Sequence, residues 1–154
     1  MTFKVFLNLI KFKNYIKNLI IFLPLFLNYT SWSLLSYTNL IGPIIFFSLL
    51  TSSIYIINDL KDLDVDKKHK NKKNRPIASG IISIKSSKLI SSVLAVTSFF
   101  YFFLFSNIKV FILVLIYFVI NIFYSFFFKR IKYLDIISIS SGFLIRILIG
   151  SLIS

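Results

Sequence analysis

The sequence predicts an all-α, polytopic transmembrane helical bundle of about five spans, and three observations carry that reading. Hydrophobic residues fill 57% of the 154 positions, and the mean hydropathy of +0.86 is too high for a water-soluble domain of this length. The apolar residues collect in long runs broken by charge, as helices of about 20 residues crossing roughly 30 Å of hydrocarbon require. The basic residues fall almost wholly on alternate connections between those runs. An ordinary cytosolic globule is excluded. With no cysteine, so are a disulfide framework, a thiolate metal site and a cysteine nucleophile.

The first span is expected from Leu19 to Tyr37, where Asn28, Tyr29, Thr30 and Ser31 interrupt it and predict a shorter or tilted segment. The second is expected from Ile41 to Ile57, the third from Leu89 to Phe105, the fourth from Val110 to Phe128 and the fifth from Ile136 to Ile153. Pro24, Pro43, Gly42 and Gly142 read as kinks and close-packing points of membrane helices. A cleaved signal peptide does not suit the basic start, because Pro24 breaks the apolar stretch and further spans follow. No repeat or linker divides the chain, so residues 1–154 read as part of a single transmembrane domain.

Eighteen Lys and Arg against five acidic residues give a net charge of +13. Four basic residues precede span one, nine lie between spans two and three, and three follow span four. The opposite side carries only Lys109, while Arg146 lies inside span five. Because Lys and Arg favour the cytoplasmic side, the N-terminus and both basic loops are expected there, in an inner or plasma membrane. A basic face of this kind suits anionic lipid or phosphate, and no nucleic-acid partner is expected.

All five acidic residues are Asp, and Asp59, Asp62, Asp64 and Asp66 fall in one stretch at the mouth of span two. If the helix continues outward, Asn58, Asp62 and Asp66 recur at i, i+4 and i+8 with Asp59 beside them, whereas Asp64 points elsewhere. Two carboxylates about 6 Å apart repel by roughly 3 kcal/mol at an effective dielectric near 20, so cations are expected on that face. One reading gives that role to the downstream lysine run, in a solvated loop of mixed charge. The other gives it to a hard divalent cation such as Mg2+, which binds through one or two carboxylates, water and substrate phosphates.

The stretch NDLKDLDVDKKHKNKKNRPIASG, Asn58 to Gly80, resembles the first aspartate-rich motif of the UbiA-type intramembrane prenyltransferase superfamily, NDxxDxxxD followed by RPIASG. The spacing of His69 and Lys72 is similar to the branch of polyprenyl-phosphate phosphoribosyltransferases. Tyr15-Ile-Lys17-Asn18 through Pro24-Leu resembles that family's WxKNxxxFxPL start of its first helix, with Tyr15 in place of Trp. Tyr124-Ser125 through Lys129-Arg130 to Asp135, then Ser141-Gly142-Phe143-Leu144 and Arg146, is similar to the YSxxxK, Asp and SGFxxR pattern of the same branch. Family members have about nine helices and a second acidic motif, so the resemblance implies a chain truncated to the N-terminal half. Lys70 and Lys67 replace a usual proline and arginine.

The resemblance implies a Mg2+-dependent transferase in which Asp59, Asp62 and Asp66 are the catalytic carboxylates and hold the metal together with Asn58. Arg75, Lys129 and Arg130 are implied phosphate contacts, and Tyr124, Arg146 and Asn58 further substrate contacts. Phosphoribosyl pyrophosphate and a polyprenyl phosphate are the implied substrates, transfer of a polyprenyl group from its diphosphate to an aromatic acceptor being the runner-up. A separately encoded C-terminal half is an implied partner. An inactive truncated fragment and a small lipid-binding membrane scaffold are the non-catalytic alternatives. Arg146, about ten residues into its span, needs a polar neighbour, and Asp135, Ser138 and Gly142 share its stripe. A snorkelling Arg146 is the competing reading. His69 has no second His or Cys to complete a transition-metal set.

Overall fold

The computed structural model describes residues 2–27 and 34–153, with the side chains of 34–37 and 130 left aside. Among the described residues the regular structure is all helical. A short helix α1 (Phe3–Leu9) leads through Lys11 into a 3-10 helix, η1 (Phe12–Phe22), and the short α2 (Leu23–Leu27). Then come α3 (Leu34–Lys61), α4 (Leu63–Lys68), α5 (Ile84–Phe105), α6 (Ile108–Phe126) and α7 (Leu134–Ile153). Ser83 and Asn107 start α5 and α6 by accepting the backbone N–H of Ser86 and Val110, which satisfies donors a helix start otherwise leaves free.

Four described helices are long and apolar enough to cross a membrane: 38–61, 84–105, 108–126 and 134–153. They contain the second to fifth expected spans, apart from the last two residues of the fourth, Phe127 and Phe128, which lie beyond α6. The expected first span differs. Its described parts are Leu19 to Leu27, in η1 and α2, and residues 34–37, which begin α3, while residues 28–33 lie outside the described residues. A 3-10 turn rises about 2.0 Å per residue against about 1.5 Å in an α-helix, so η1 and α2 together extend about 30 Å. η1 starts at Phe12, seven residues before the expected start at Leu19, and neither η1 nor α2 is among the four helices long and apolar enough to cross a membrane.

Side-chain pairs fix the topology. Asn18 meets Ser48 and Tyr15 meets Ser52, so η1 runs antiparallel to α3. Ser53 meets Ser91 and Phe46 stacks on Tyr101, so α5 runs antiparallel to α3. Arg146 meets Tyr117 and Asn107 meets the Leu152 carbonyl, so α7 runs antiparallel to α6. Small hydroxyl residues on α3, Ser48, Thr51, Ser52 and Ser53, are all buried and let the neighbouring backbones approach closely, as interfaces between membrane helices need.

Two apolar clusters hold the bundle. The larger, including Ile21, Phe47, Phe102, Val114, Tyr117 and Ile149, fills the centre. The smaller joins Leu9, Ile56, Ile77 and Ile82 at the end of the bundle that carries the aspartates. It clamps the segments just before Lys11 and just after Arg75 against α3, and so sets where those two cations stand. Outward residues of α5 such as Val96, Phe100, Phe103 and Phe105 remain exposed and give that helix an apolar outer face.

Candidate functional site

The helix expected to run unbroken from Asn58 to Asp66 breaks at Asp62, whose φ of −88° and ψ of 5° separate α3 from α4. The backbone still bonds through the break, Asp62 N–H to the Asn58 carbonyl at 2.9 Å and Asp66 N–H to the Asp62 carbonyl at 2.8 Å. The bend divides the aspartates. Asp59 and Asp66, 5% and 1% exposed, turn inward, while Asp62 is half-buried and Asp64 exposed.

Each inward or half-buried carboxylate meets a cation. Arg75 Nη1 donates to Asp59 Oδ1 at 3.0 Å and to Asp66 Oδ2 at 2.7 Å, so one nitrogen bridges two acids. Lys11 Nζ donates to the same Asp59 oxygen at 2.7 Å. Lys129, in the 3-10 turn Phe128–Arg130 that follows α6, pairs with Asp62 Oδ2. Among the described residues the neutralising charges are thus Arg75, Lys11 and Lys129, and the downstream lysine run forms no ion pair. Burial pushes the Lys11 ammonium below its ordinary value of 10.5, and the Asp59 carboxylate pulls it partly back. Lys11 reaches Asp59 from a left-handed backbone conformation, φ 52° and ψ 47°, which costs a non-glycine residue roughly 1 kcal/mol.

His69 takes no part in the cluster. Its Nδ1 accepts the backbone N–H groups of Asn71 and Lys72 at 3.2 and 3.3 Å, which makes it a turn former. The side chain of Arg130 lies outside the described residues.

The remaining expected contacts line a separate cavity of about 250 Å³ within the bundle, bounded by Lys17, Tyr55, Tyr117, Asn121, Tyr124 and Arg146 among others. Arg146 is 6% exposed and does not snorkel. Its Nε donates to Asn18 Oδ1 at 2.9 Å, Nη1 to the Gly142 carbonyl at 2.7 Å and Nη2 to Tyr117 Oη at 2.8 Å. Phe47, Tyr117 and Phe143 turn ring faces to the guanidinium at 5.0–5.6 Å. Neutral dipoles and aromatic quadrupoles therefore solvate this charge. Asp135, expected in phase with it, instead accepts the N–H of its neighbour Ile136 at 2.7 Å.

Tyr55 joins the two places. It lines the cavity, and Lys11 Nζ stands 5.0 Å from its ring centre. Lys11, Tyr55, Asn18 and Tyr117 were not among the expected site residues. Tyr117, Asn121 and Tyr124 recur at i, i+4 and i+7 on an otherwise oily helix, a polar stripe that could have been read. Nothing local marks Lys11, since its partner lies 48 positions away.

The donor set suits a hard divalent cation. Asn58 Oδ1 and Asp66 Oδ1 are buried side-chain oxygens without a hydrogen-bond partner, an arrangement that is costly unless something electropositive completes it. Among the described residues no three acidic or histidine side chains stand close enough to hold a metal by themselves. Mg2+, which keeps waters and takes phosphate oxygens beside one or two carboxylates, matches such a partial set.

Comparison with known proteins bears on the same residues. The model of the UbiA prenyltransferase family matches residues 19–154. The chain is 33% identical over 138 residues to an uncharacterized protein of Sinorhizobium fredii, covering 90% of this chain and 27% of that protein. It is 38% identical over 105 residues to a decaprenyl-phosphate phosphoribosyltransferase of Mycolicibacterium smegmatis, covering 68% of this chain and 32% of that one. It is 34% identical over 97 residues to a digeranylgeranylglyceryl phosphate synthase of Sulfurisphaera tokodaii, covering 61% and 33%. The chain spans about a quarter to a third of the length of these relatives. An integral membrane bundle whose aspartate-bearing turn lies, with Tyr117, Tyr124 and Arg146 of its polar core, within the matched region, this chain belongs to the UbiA prenyltransferase family.

Proposed function

We propose that the chain works in a membrane-embedded, Mg2+-dependent transferase that moves a phosphoribosyl group from phosphoribosyl pyrophosphate to a polyprenyl phosphate. The observation that carries this reading is the Arg75 bridge between two buried aspartates beside two unpartnered oxygens. In such a transfer the bond from the anomeric carbon to diphosphate breaks, its electron pair leaves with the diphosphate, and a lipid phosphate oxygen forms the new bond to carbon. When bound, Mg2+ supplies Lewis-acid neutralisation of the departing charge. Asn58, Asp59, Asp62 and Asp66 are the residues that hold it in this reading.

The chain's own groups do the rest. Arg75 offers a planar fork to phosphate, and Lys129 and Arg130 add charge in the 3-10 turn that follows α6. Three carboxylates against three cations leave the cluster without net charge, so a metal ion alone is poorly favoured and enters best with its anion. Arg146 uses three of its five N–H donors on the protein, which leaves two for the lipid phosphate. Tyr124 lines the same cavity.

The name of the relative in Mycolicibacterium smegmatis supports phosphoribosyl transfer. The relative in Sulfurisphaera tokodaii favours a second reading, in which the lipid carries the diphosphate and a polyprenyl group moves, here to an aromatic acceptor. The one-sided basic residues support a cytoplasmic N-terminus and aspartate cluster. The proposal includes a separate C-terminal half as a partner, the chain itself spanning 32% of the length of the Mycolicibacterium smegmatis relative.

The test is an assay of the purified chain in detergent, with and without that second half, supplied with each substrate pair and Mg2+. Mg2+-dependent phosphoribosylated lipid is the expected product. Prenylated aromatic product would establish the second reading, and no product from either pair under either condition would refute both.

A further inference from the structure

We propose that Lys11 is a diphosphate-binding residue, released from Asp59 when a divalent cation takes that carboxylate and then paired with a phosphate oxygen. The inference rests on the reading of Asp59 and Asp66 as holders of a metal diphosphate, and it assigns a role to the segment that precedes η1.

Two cations share one oxygen. Asp59 Oδ1 accepts from Lys11 at 2.7 Å and from Arg75 at 3.0 Å. A metal ion claiming that oxygen must displace at least one of them. Arg75 keeps a second carboxylate, Asp66 at 2.7 Å, whereas Lys11 has no other ion-pair partner among the described residues. Lys11 is therefore the cation set free.

It cannot simply leave. Leu9, two residues earlier, is buried in the cluster with Ile56, Ile77 and Ile82, and the left-handed turn at Lys11 sets the direction in which its side chain leaves that anchored backbone. The ammonium, on a side chain 20% exposed, stands beside the ring of Tyr55, which lines the cavity. A released charge in that half-buried position needs an anion, and the diphosphate brought by the metal is the one at hand. Its placement next to Tyr55 also makes Lys11 the cation between the carboxylates and the polar cavity.

The experiment measures Mg2+ binding and Mg2+-dependent binding of inorganic pyrophosphate by calorimetry on the full chain in detergent. It compares wild type with Lys11→Met, Lys11→Arg and Asp62→Asn. For Lys11→Met the expected result is a loss of about tenfold in pyrophosphate affinity, with Mg2+ alone bound as well as or better than by wild type. Lys11→Arg restores the pyrophosphate affinity. Damage to the fold would weaken both ligands together and lower the unfolding temperature, and that outcome would overturn the proposal. So would wild-type pyrophosphate affinity in Lys11→Met. If Asp62→Asn abolishes pyrophosphate binding while Lys11→Met does not change it, Lys11 fails and the metal site stands. If wild type binds no pyrophosphate with Mg2+, both fall.

Discussion

Arg146 on α7 and Asn18 on η1, 128 positions apart, are joined inside the bundle by an Nε to Oδ1 hydrogen bond of 2.9 Å. The amide of Asn18 is used from both ends, since its Nδ2 donates to Ser48 at 2.9 Å and to Thr51 at 3.3 Å. One side chain thus ties η1 to α3 and to α7, and supplies part of the solvation that a buried guanidinium requires. Asn18→Leu should cost about 2–3 kcal/mol, because a charged donor loses its acceptor where water does not reach. Arg146→Met should relieve that cost, so the two substitutions together should destabilise by less than their sum. Reversible unfolding in mixed detergent micelles measures the cycle, and additive effects would show that the pair is not coupled.

Asp64 provides the control for the aspartate cluster. It is exposed, whereas Asp66, two positions on, is 1% exposed and bound to Arg75. Asp66→Asn should reduce Mg2+-dependent pyrophosphate binding by tenfold or more, on the order expected when one carboxylate is lost from a small oxygen set. Asp64→Asn should leave it within about twofold, since a solvated carboxylate outside the set contributes little. Equal losses from the two would mean that general negative charge, and not the inward pair, attracts the metal.

The difference between these two aspartates was legible from helical phase, the four long spans from apolar runs broken by charge, and the cationic character of whatever meets the acids from the repulsion between neighbouring carboxylates. Phase failed where the backbone does not keep α-helical geometry. The bend at Asp62 splits a face that i, i+4 spacing makes continuous, and the 3-10 helix Phe12–Phe22 begins seven residues before Leu19, where an α-helical span was expected to start. Long-range partners were not legible either. Nothing near Lys11 points to Asp59, and the Asp135 to Arg146 spacing suggested an intrahelical stripe where the bundle instead supplies Asn18 and Tyr117 from other helices.

Gly150 marks where η1 and α7 touch. A Cβ there would fall against the carbonyl oxygen of Ile21, and its next contact, at 2.9 Å, is the carbonyl carbon. Backbone cannot rotate away as a side chain can, so Gly150→Ala should force the helices apart and destabilise the chain despite the gain of up to about 1 kcal/mol that alanine brings to a helix interior. At Gly42 the obstruction is the phenol end of Tyr101, a movable side chain, and Gly42→Ala should cost less. Unfolding temperatures of the two variants in detergent test the ranking, and the reverse order would contradict the close contact of η1 with α7.

The pH dependence of Lys11 tests whether burial or the Asp59 pair dominates its energetics. Burial is the larger effect and holds the folded-state pKa below 10.5, with Asp59 opposing. Below the folded value both folded and unfolded chains carry the proton, and the folded state bears the whole cost of an ammonium withdrawn from water. Between that value and 10.5 the unfolded chain holds more protons, so this contribution to stability rises with pH. A lysine whose ion pair outweighed its burial would show the opposite slope. Metal-free wild type should therefore gain stability relative to Lys11→Met as the pH is raised towards 10.5, and Asp59→Asn, which removes the opposing charge, should enlarge the gain. Thermal unfolding across that range reads the difference, and a decline with pH would mean that the carboxylate outweighs desolvation at this position.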